Sequence, residues 1–245
     1  MFFMKKGKFY AVSTGAGSTE LLTLKAIRIL KGCEIIFYPE SERNTIALDS
    51  IFHDTGIDFH QKTLVPCHFS MSGNPEKTIL EYEHIASKCE EYMNIGKDVA
   101  MLSIGDVTLY STAARTASLI KKHGFDIEFS AGVNSFSQAA CSASLSLCET
   151  DEKLTVIPGD SYYTNGKIKA ALTDEGTKIL MKMGRHLKEI ISILDETGLI
   201  QNATLVQKAS LPEEKIFCGE ELLHLSEKDF ESAYLSIIIV INKAD

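Results

Sequence analysis

The fold of this chain is indicated by one stretch of its sequence, Gly96-Lys97-Asp98-Val99-Ala100-Met101-Leu102-Ser103-Ile104-Gly105-Asp106-Val107-Thr108-Leu109-Tyr110-Ser111-Thr112. The apolar first part predicts a buried strand over 99–104, and a helix is expected to begin at Thr108 or soon after it. Ligands of open α/β sheets bind beyond the carboxyl ends of the strands. Because Gly105 allows close backbone approach and Asp106 adds a carboxylate, the stretch predicts a ligand-binding turn, or else a plain turn with an aspartate cap.

Strand-like runs and amphipathic helical patterns alternate along both halves of the chain. They predict an α/β protein with two α/β domains, residues 1–135 and 136–245, the first with a mostly parallel sheet and the second with a mixed sheet. Residues 234–242 are almost continuously apolar, which predicts a central strand covered on both faces. In the first half the predicted strands are 9–13, 34–38, 62–66, 99–103 and 127–129, and the predicted helices are 19–30, 44–53, 74–94 and 112–123. In the second half the predicted strands are 154–157, 177–182, 203–209, 215–218 and 234–242, and the predicted helices are 136–147 and 185–197.

Composition narrows the class of protein. The 245 residues carry a net charge of −8, from 33 acidic and 25 basic residues, which argues against nucleic acid as a partner because phosphate binding needs a basic surface. The 6 cysteines are scattered without a CxxC pair, so we expect a reducing cytoplasm, and neither they nor the 7 histidines show the spacing of metal ligands. No apolar run is long enough for a signal peptide or a membrane span, so we expect a soluble protein without membrane contact.

Two nucleotide-binding motifs are incomplete in this sequence. Gly15-x-Gly17 begins a dinucleotide fingerprint, but Glu20 stands where the third glycine belongs. The chain also contains no GxxxxGK[ST] phosphate loop. Binding of NAD or of a nucleoside triphosphate through these motifs is therefore not expected.

The stretch from Gly105 to Thr112 resembles the Gly-Asp-Pro-x-x-Tyr-Ser-Thr motif of the tetrapyrrole methyltransferases that use S-adenosylmethionine (SAM), with Val107 in place of the proline. Residues 13–26 are similar to the N-terminal Gly-x-Gly-Pro-Gly-Asp-Pro-Glu-Leu-Leu-Thr-x-Lys-Ala of that family. The departures in this loop are Ser13, Ala16, Ser18 and Thr19.

Further segments resemble the same family in chain order. Residues 129–136 are similar to its Pro-Gly-Val-Ser-Ser-Phe turn. Met181-Lys182 and Tyr234-Leu235-Ser236 resemble the branch of the family that methylates C20 of precorrin-2 or of cobalt-factor II in cobalamin biosynthesis. The resemblance implies a homodimer of two-domain subunits with the active site in the cleft between the domains.

The resemblance also implies a set of functional residues. SAM is the expected cofactor, and its predicted contacts are Gly105, Asp106, Leu109, Ser111, Thr112, Asn134, Ser135, Lys182 and Ala209. The residues predicted to border the tetrapyrrole substrate are Gly15, Gly17, Glu20 and Met71, and its carboxylates are expected to meet Lys25, Arg43, Arg115 and Lys182. No metal is expected.

Methyl transfer from a sulfonium needs mainly correct positioning of the two reactants, followed by removal of a proton from the methylated carbon. The candidate bases are Asp106, Tyr110 and Glu20, with Asp106 and Tyr110 as the predicted catalytic pair. Two alternatives stay open. The expected function is methylation of C20 of precorrin-2 or of cobalt-factor II. The first alternative is a methyltransferase of this fold with a different position or substrate, and the second is a relative that binds SAM without catalysis. The altered residues of the N-terminal loop favour these two alternatives.

Overall fold

The computed structural model describes residues 5–40, 45–52, 55–69, 75–231 and 233–242. By its internal contacts the chain divides into two compact units, Met1–Asn134 and Ser135–Asp245. Each unit is built on one five-stranded sheet of described residues. None of the described helices is both long and apolar enough to span a bilayer.

The first unit has a parallel sheet with the strand order β3-β2-β4-β1-β5. Hydrophobic residues of α1 and α2 pack on one face of this sheet and those of α3 and α4 on the other. The elements are β1 (Phe9–Ser13), α1 (Leu24–Gly32), β2 (Ile35–Glu40), α2 (Ile46–Phe52), β3 (Thr63–His68), α3 (Pro75–Asn94), β4 (Val99–Ser103), α4 (Thr112–Lys122) and β5 (Ile127–Ser130).

The strand order explains which helices share a face. The chain leaves β1 toward β2 in one direction across the sheet, and it leaves β4 toward β5 in the opposite direction. Because parallel crossovers are right-handed, the two connections lie on opposite faces. The carboxyl ends of the neighbouring strands β1 and β4 therefore form the switch point at which open α/β sheets bind their ligands.

The second unit has a mixed sheet with the order β6-β7-β10-β8-β9, in which only the β6–β7 pair is parallel. Its core lies between this sheet and α8. Each fully buried apolar side chain there stabilises the folded state by about 1.5–3 kcal/mol. The elements are α5 (Ser135–Ser142), β6 (Leu154–Pro158), α6 (Gly159–Thr164), α7 (Ile168–Thr173), β7 (Gly176–Met181), α8 (Leu187–Glu196), β8 (Ala203–Gln207), β9 (Lys215–Cys218), α9 (Glu227–Glu231) and β10 (Ser236–Asn242).

The predicted fold class of two α/β domains, one with a parallel and one with a mixed sheet, is confirmed. The central position predicted for the last strand is also confirmed, because β10 lies between β7 and β8.

Two helix boundaries differ from the prediction for local reasons. The helix predicted from residue 19 is split into a short 3₁₀ turn, Thr19–Leu21, and α1, because extended Thr23 caps α1 by accepting the Ala26 N–H at 3.1 Å. The helix predicted over 136–147 ends at Ser142. There Ser144 adopts a left-handed φ of 54°, and Leu145 N–H donates to Ala140 O, which closes the helix as a Schellman motif.

Candidate functional site

Two loops predicted to have different roles meet at the switch point of the first sheet. Gly15, from the loop predicted to border the substrate, forms a β-bridge with Gly105, from the loop predicted to bind SAM. Gly105 N–H donates to Gly15 O at 2.6 Å, and Thr14 N–H donates to Ser103 O at 2.8 Å. The motifs around Gly15 and Gly105, which both resemble motifs of one family, are therefore adjacent in space.

Glycine is required at two positions of these loops. Gly15 has a φ of +70°, and a Cβ there would lie 2.6 Å from Leu21 Cβ. Gly132, in the loop after β5, lies so close to its neighbours that a Cβ would come within 2.4 Å of Ser13 Cβ and 2.8 Å of Gly105 O. The segments around Gly15 and Gly132 are therefore closely packed, without room for a side chain at either position.

Asp106 joins two of these loops. One carboxylate oxygen accepts from Gly132 N–H at 2.8 Å, and the other accepts from the Thr108 N–H at 2.9 Å and from the Thr108 hydroxyl. Burial raises the pKa of Asp106, but the hydrogen bonds from Thr108 and Gly132 outweigh it and hold the pKa below its usual value. A buried carboxylate with these three donors favours a role in positioning the loops over the predicted role of a proton-accepting base.

Ser13 and Val107 are linked by a hydrogen bond that involves two of the sequence departures. Val107 N–H donates to Ser13 Oγ at 2.8 Å, and both residues are fully buried. The family motif that this stretch resembles has proline at the position of Val107, and a proline has no N–H to satisfy. The serine at position 13 therefore supplies the acceptor that the change to Val107 makes necessary.

The remaining predicted SAM contacts of this loop lie at the start of α4. Leu109 N–H donates to Asp106 O at 3.2 Å within the turn. Tyr110 has a left-handed φ of 51° and is 44% exposed. Ser111 caps α4 by accepting from Ala114 N–H at 3.3 Å, and Thr112 is the first residue of the helix. The αL conformation of Tyr110 is uncommon for a non-glycine residue, and such outliers concentrate at functional sites.

The last residue of β5 and the loop that follows it each contain one buried polar atom without a described hydrogen-bond partner. They are the hydroxyl oxygen of Ser130 and the side-chain oxygen of Asn134. Buried acceptors are normally satisfied, so unpartnered ones call for an explanation. Asn134 is a predicted SAM contact, and a bound ligand that donates a hydrogen bond would satisfy it.

Two of the three predicted site residues of the second unit, Lys182 and Ala209, lie just beyond the carboxyl ends of its strands. Lys182 follows β7 with a left-handed φ of 51°, and its side chain is exposed although desolvation by the surrounding protein lowers its pKa. Ala209 is buried two residues beyond the end of β8, between Lys208 and Ser210, which both have positive φ. Ser135 is the first residue of α5.

The basic residues expected to meet substrate carboxylates differ in their surroundings. Lys25 is paired with Glu128 at 2.8 Å and donates to Phe129 O, and the guanidinium of Arg115 stacks over the Tyr82 ring at 4.4 Å. No ion pair joins Lys182 to a described residue, and desolvation lowers the pKa of its ammonium group. Arg43 and the predicted substrate contact Met71 lie outside the described residues.

A surface cavity of about 230 Å³ lies away from these loops, at the amino end of the first sheet. It is lined by Arg28, Asp98 and Glu128 among others. Asp98 already accepts from Lys8 N–H, and Glu128 is paired with Lys8 and Lys25. The carboxylates of this cavity are therefore engaged within the protein.

A parallel α/β sheet with glycine loops packed at its switch point defines a protein that binds small molecules at the carboxyl edge of its strands. The family model for Tetrapyrrole (Corrin/Porphyrin) Methylases matches residues 8–221, and the chain belongs to this family of methyltransferases.

Relatives of similar length extend the comparison. The probable cobalt-precorrin-2 C(20)-methyltransferase of Methanocaldococcus jannaschii is 30% identical over 236 residues, covering 95% of both chains. The cobalt-precorrin-2 C(20)-methyltransferase of Salmonella typhimurium is 29% identical over 238 residues, covering 96% of both. Among solved structures, a cobalt precorrin-4 methyltransferase superposes with a TM-score of 0.70 at 20% identity, covering 95% of this chain and 94% of the other.

A further solved structure carries a cofactor product. The uroporphyrin-III C-methyltransferase of Thermus thermophilus, complexed with S-adenosylhomocysteine, superposes with a TM-score of 0.65 at 19% identity and covers 96% of this chain and 97% of its own. At these identities the two solved structures bear on the fold alone.

Proposed function

We propose that this protein transfers a methyl group from SAM to C20 of precorrin-2 or of its cobalt form, a step of cobalamin biosynthesis. The observation that carries the proposal is the similarity, along nearly the whole chain, to relatives named for this reaction. The contact between the Gly15 and Gly105 loops supports it, because it brings the two motifs shared with the family to one edge of one sheet.

The residues of the first unit fit SAM chemically. SAM has hydrogen-bond donors in its ammonium group, its ribose hydroxyls and its adenine amino group, and the unpartnered side-chain oxygen of Asn134 is an acceptor. We propose that the Gly105–Asp106 turn, Leu109, Ser111, Thr112 and Asn134 hold the cofactor, and that Ser135, Lys182 and Ala209 add further contacts. Gly15 and Gly17, both buried, would lie beside the substrate together with Glu20.

When bound, SAM supplies an electrophilic methyl group on its sulfonium. The protein contributes mainly position, because holding two reactants in line replaces a bimolecular encounter. Asp106 keeps the loops after β4 and β5 together through Thr108 and Gly132. For proton removal we propose Tyr110 and Glu20, whose side chains are exposed, whereas the carboxylate of Asp106 is buried and bonded.

We further infer a cytoplasmic homodimer that acts on a small molecule and does not bind nucleic acid. The scattered cysteines support the cytoplasmic location, and the acidic composition supports the absence of nucleic acid as a partner. The homodimer rests on the resemblance to the family alone.

The purified protein is expected to bind S-adenosylhomocysteine with a Kd in the micromolar range, roughly −8 kcal/mol, and not to bind NAD. The reason is the intact Gly105–Asp106 turn combined with the incomplete dinucleotide fingerprint at Glu20. Calorimetric titration with each ligand checks this expectation. Heat of binding from NAD and none from S-adenosylhomocysteine would refute the proposed function.

A further inference from the structure

One edge of the second sheet gathers two lysines and a tyrosine. The strands β6, β7 and β8 end at this edge, and β10, antiparallel to β7 and β8, begins there. Lys182 follows β7, Lys208 follows β8, and Tyr234 stands two residues before β10. Sequence similarity drew attention to Lys182 and to the segment around Tyr234, but it assigned no role to Lys208.

The sheet register sets the spacing of the two lysines. Ile238 pairs with Leu180 on one side and with Leu205 on the other, so Lys182, two residues beyond Leu180, and Lys208, three residues beyond Leu205, are offset by one residue along the strand direction and lie two strand spacings apart. Two spacings are about 10 Å between the backbones. Lys208 N–H donates to Leu235 O at 2.8 Å, and Gln207 Nε2 donates to Ser236 Oγ at 3.1 Å, which anchors this part of the edge.

Both lysines have an uncommon backbone conformation. The φ of Lys182 is 51° and that of Lys208 is 52°, in the left-handed region that favours glycine. The surrounding hydrogen bonds hold them there, since Lys182 O accepts from Asp160 N–H at 3.0 Å. Strained residues of this kind concentrate at ligand-binding sites.

The charges at this edge are weakly compensated. Lys182 has no ion pair with a described residue, and Lys208 Nζ lies 3.9 Å from Glu213 Oε2, at the outer limit of an ion pair. Surface pairs of this kind contribute little to stability. The side chain of Tyr234 is 65% exposed, and the next residue, Leu235, accepts the Lys208 N–H through its backbone oxygen.

We propose that Lys182, Lys208 and Tyr234 form a substrate-docking surface for the tetrapyrrole, a role that rests on the proposed function. The ammonium groups pair with two carboxylates on the rim of the macrocycle, and the tyrosine ring packs against its apolar face. Lysine suits this task because its ammonium group is a compact charge that can donate hydrogen bonds to carboxylates in several directions. Aromatic stacking suits the flat ring system.

The test compares binding of two ligands separately. The probe for the substrate is uroporphyrin III, a fluorescent porphyrin with eight carboxylates, titrated without cofactor, and the probe for the cofactor site is S-adenosylhomocysteine. Lys208→Asn removes the charge with a residue that tolerates positive φ, and it is expected to raise the porphyrin Kd about tenfold while leaving the S-adenosylhomocysteine Kd unchanged. Lys208→Arg is expected to restore porphyrin binding, and Tyr234→Ala to weaken it.

The matched control is Lys169→Asn, which removes a lysine of α7 with a similar long ion pair, 3.8 Å to Glu196. It is expected to bind the porphyrin as the wild type does. The docking surface is refuted if Lys208→Asn binds the porphyrin as tightly as this control does. It is also refuted if Lys208→Asn weakens binding of S-adenosylhomocysteine and not of the porphyrin. In both cases the proposed function stands. A wild-type protein that binds no S-adenosylhomocysteine would refute the proposed function itself.

Discussion

Replacement of Asp106 by alanine is expected to lower the free energy of unfolding by about 2–3 kcal/mol and to weaken S-adenosylhomocysteine binding at least about tenfold. The carboxylate accepts from Gly132 N–H at 2.8 Å and from Thr108 N–H at 2.9 Å, and its removal leaves both donors without an acceptor. The loop that contains Asn134 then loses its attachment to the Gly105 turn. Urea unfolding and calorimetric titration measure the two effects.

The pH dependence of this contribution follows from the direction of the pKa shift. Because the folded-state pKa of Asp106 lies below the ordinary value of 3.8, its contribution is fully present above that value and is lost as the pH falls through the lower, folded-state pKa. The stability difference between wild type and Asp106→Ala is thus expected to shrink in acid. Asp126→Ala, an exposed change at the amino end of β5, is the control and should leave stability and binding unchanged. If Asp106→Ala changed stability and binding as little as the Asp126→Ala control, the carboxylate of Asp106 would not join the loops.

Ser13→Gly is expected to destabilise the protein by about 1–3 kcal/mol, because it leaves the buried Val107 N–H without its acceptor. The same change should lower the free energy of unfolding by less in a Val107→Pro background, because residue 107 then has no N–H that needs an acceptor. A double-mutant cycle in urea measures the difference, with an expected coupling of at least about 1 kcal/mol. An equal loss of unfolding free energy in both backgrounds would mean that Ser13 and Val107, the two differences from the family motifs, are not coupled.

This pair bears on the two alternatives that the sequence left open. The changed N-terminal loop favoured a diverged substrate or a relative that does not catalyse. Since Ser13 supplies the acceptor for Val107, these two differences compensate each other within one hydrogen bond. They are therefore poor evidence for loss of function. Of the other changed residues, Ser18 caps the Thr19–Leu21 turn by accepting from Glu20 N–H at 3.3 Å, and the Thr19 hydroxyl donates to Ser50 O at 3.0 Å.

The sequence predicted the bounds of an element correctly where residues typical of a strand end or a helix end stand at those bounds. β1 was expected over 9–13 and spans Phe9–Ser13. The helix predicted over 74–94 is α3, which begins at Pro75 and ends at Asn94. Where the stop signal was atypical the prediction was wrong, as at α5, because Ser144 replaces the glycine or asparagine usual at that position of a Schellman motif.

The site was predictable only in part because its decisive contacts join distant residues. The Gly105–Asp106 turn could be recognised from spacing, but the bond from Gly132 to Asp106 joins residues 26 positions apart, and the bond from Val107 to Ser13 joins residues 94 positions apart. Such pairs leave no periodic signal in a single sequence. Lys208 was missed because the sequence placed it inside the strand predicted over 203–209, whereas β8 ends at Gln207 and Lys208 has a left-handed φ of 52°.

The most direct test of the proposed function is the position of the transferred methyl group. The protein is incubated with SAM labelled with ¹³C in its methyl group and with precorrin-2 or cobalt-precorrin-2, and the product is examined by ¹³C NMR. We expect a single labelled methyl group on C20. A label on another ring carbon, or tight S-adenosylhomocysteine binding without any methylation of either tetrapyrrole, would contradict the proposal.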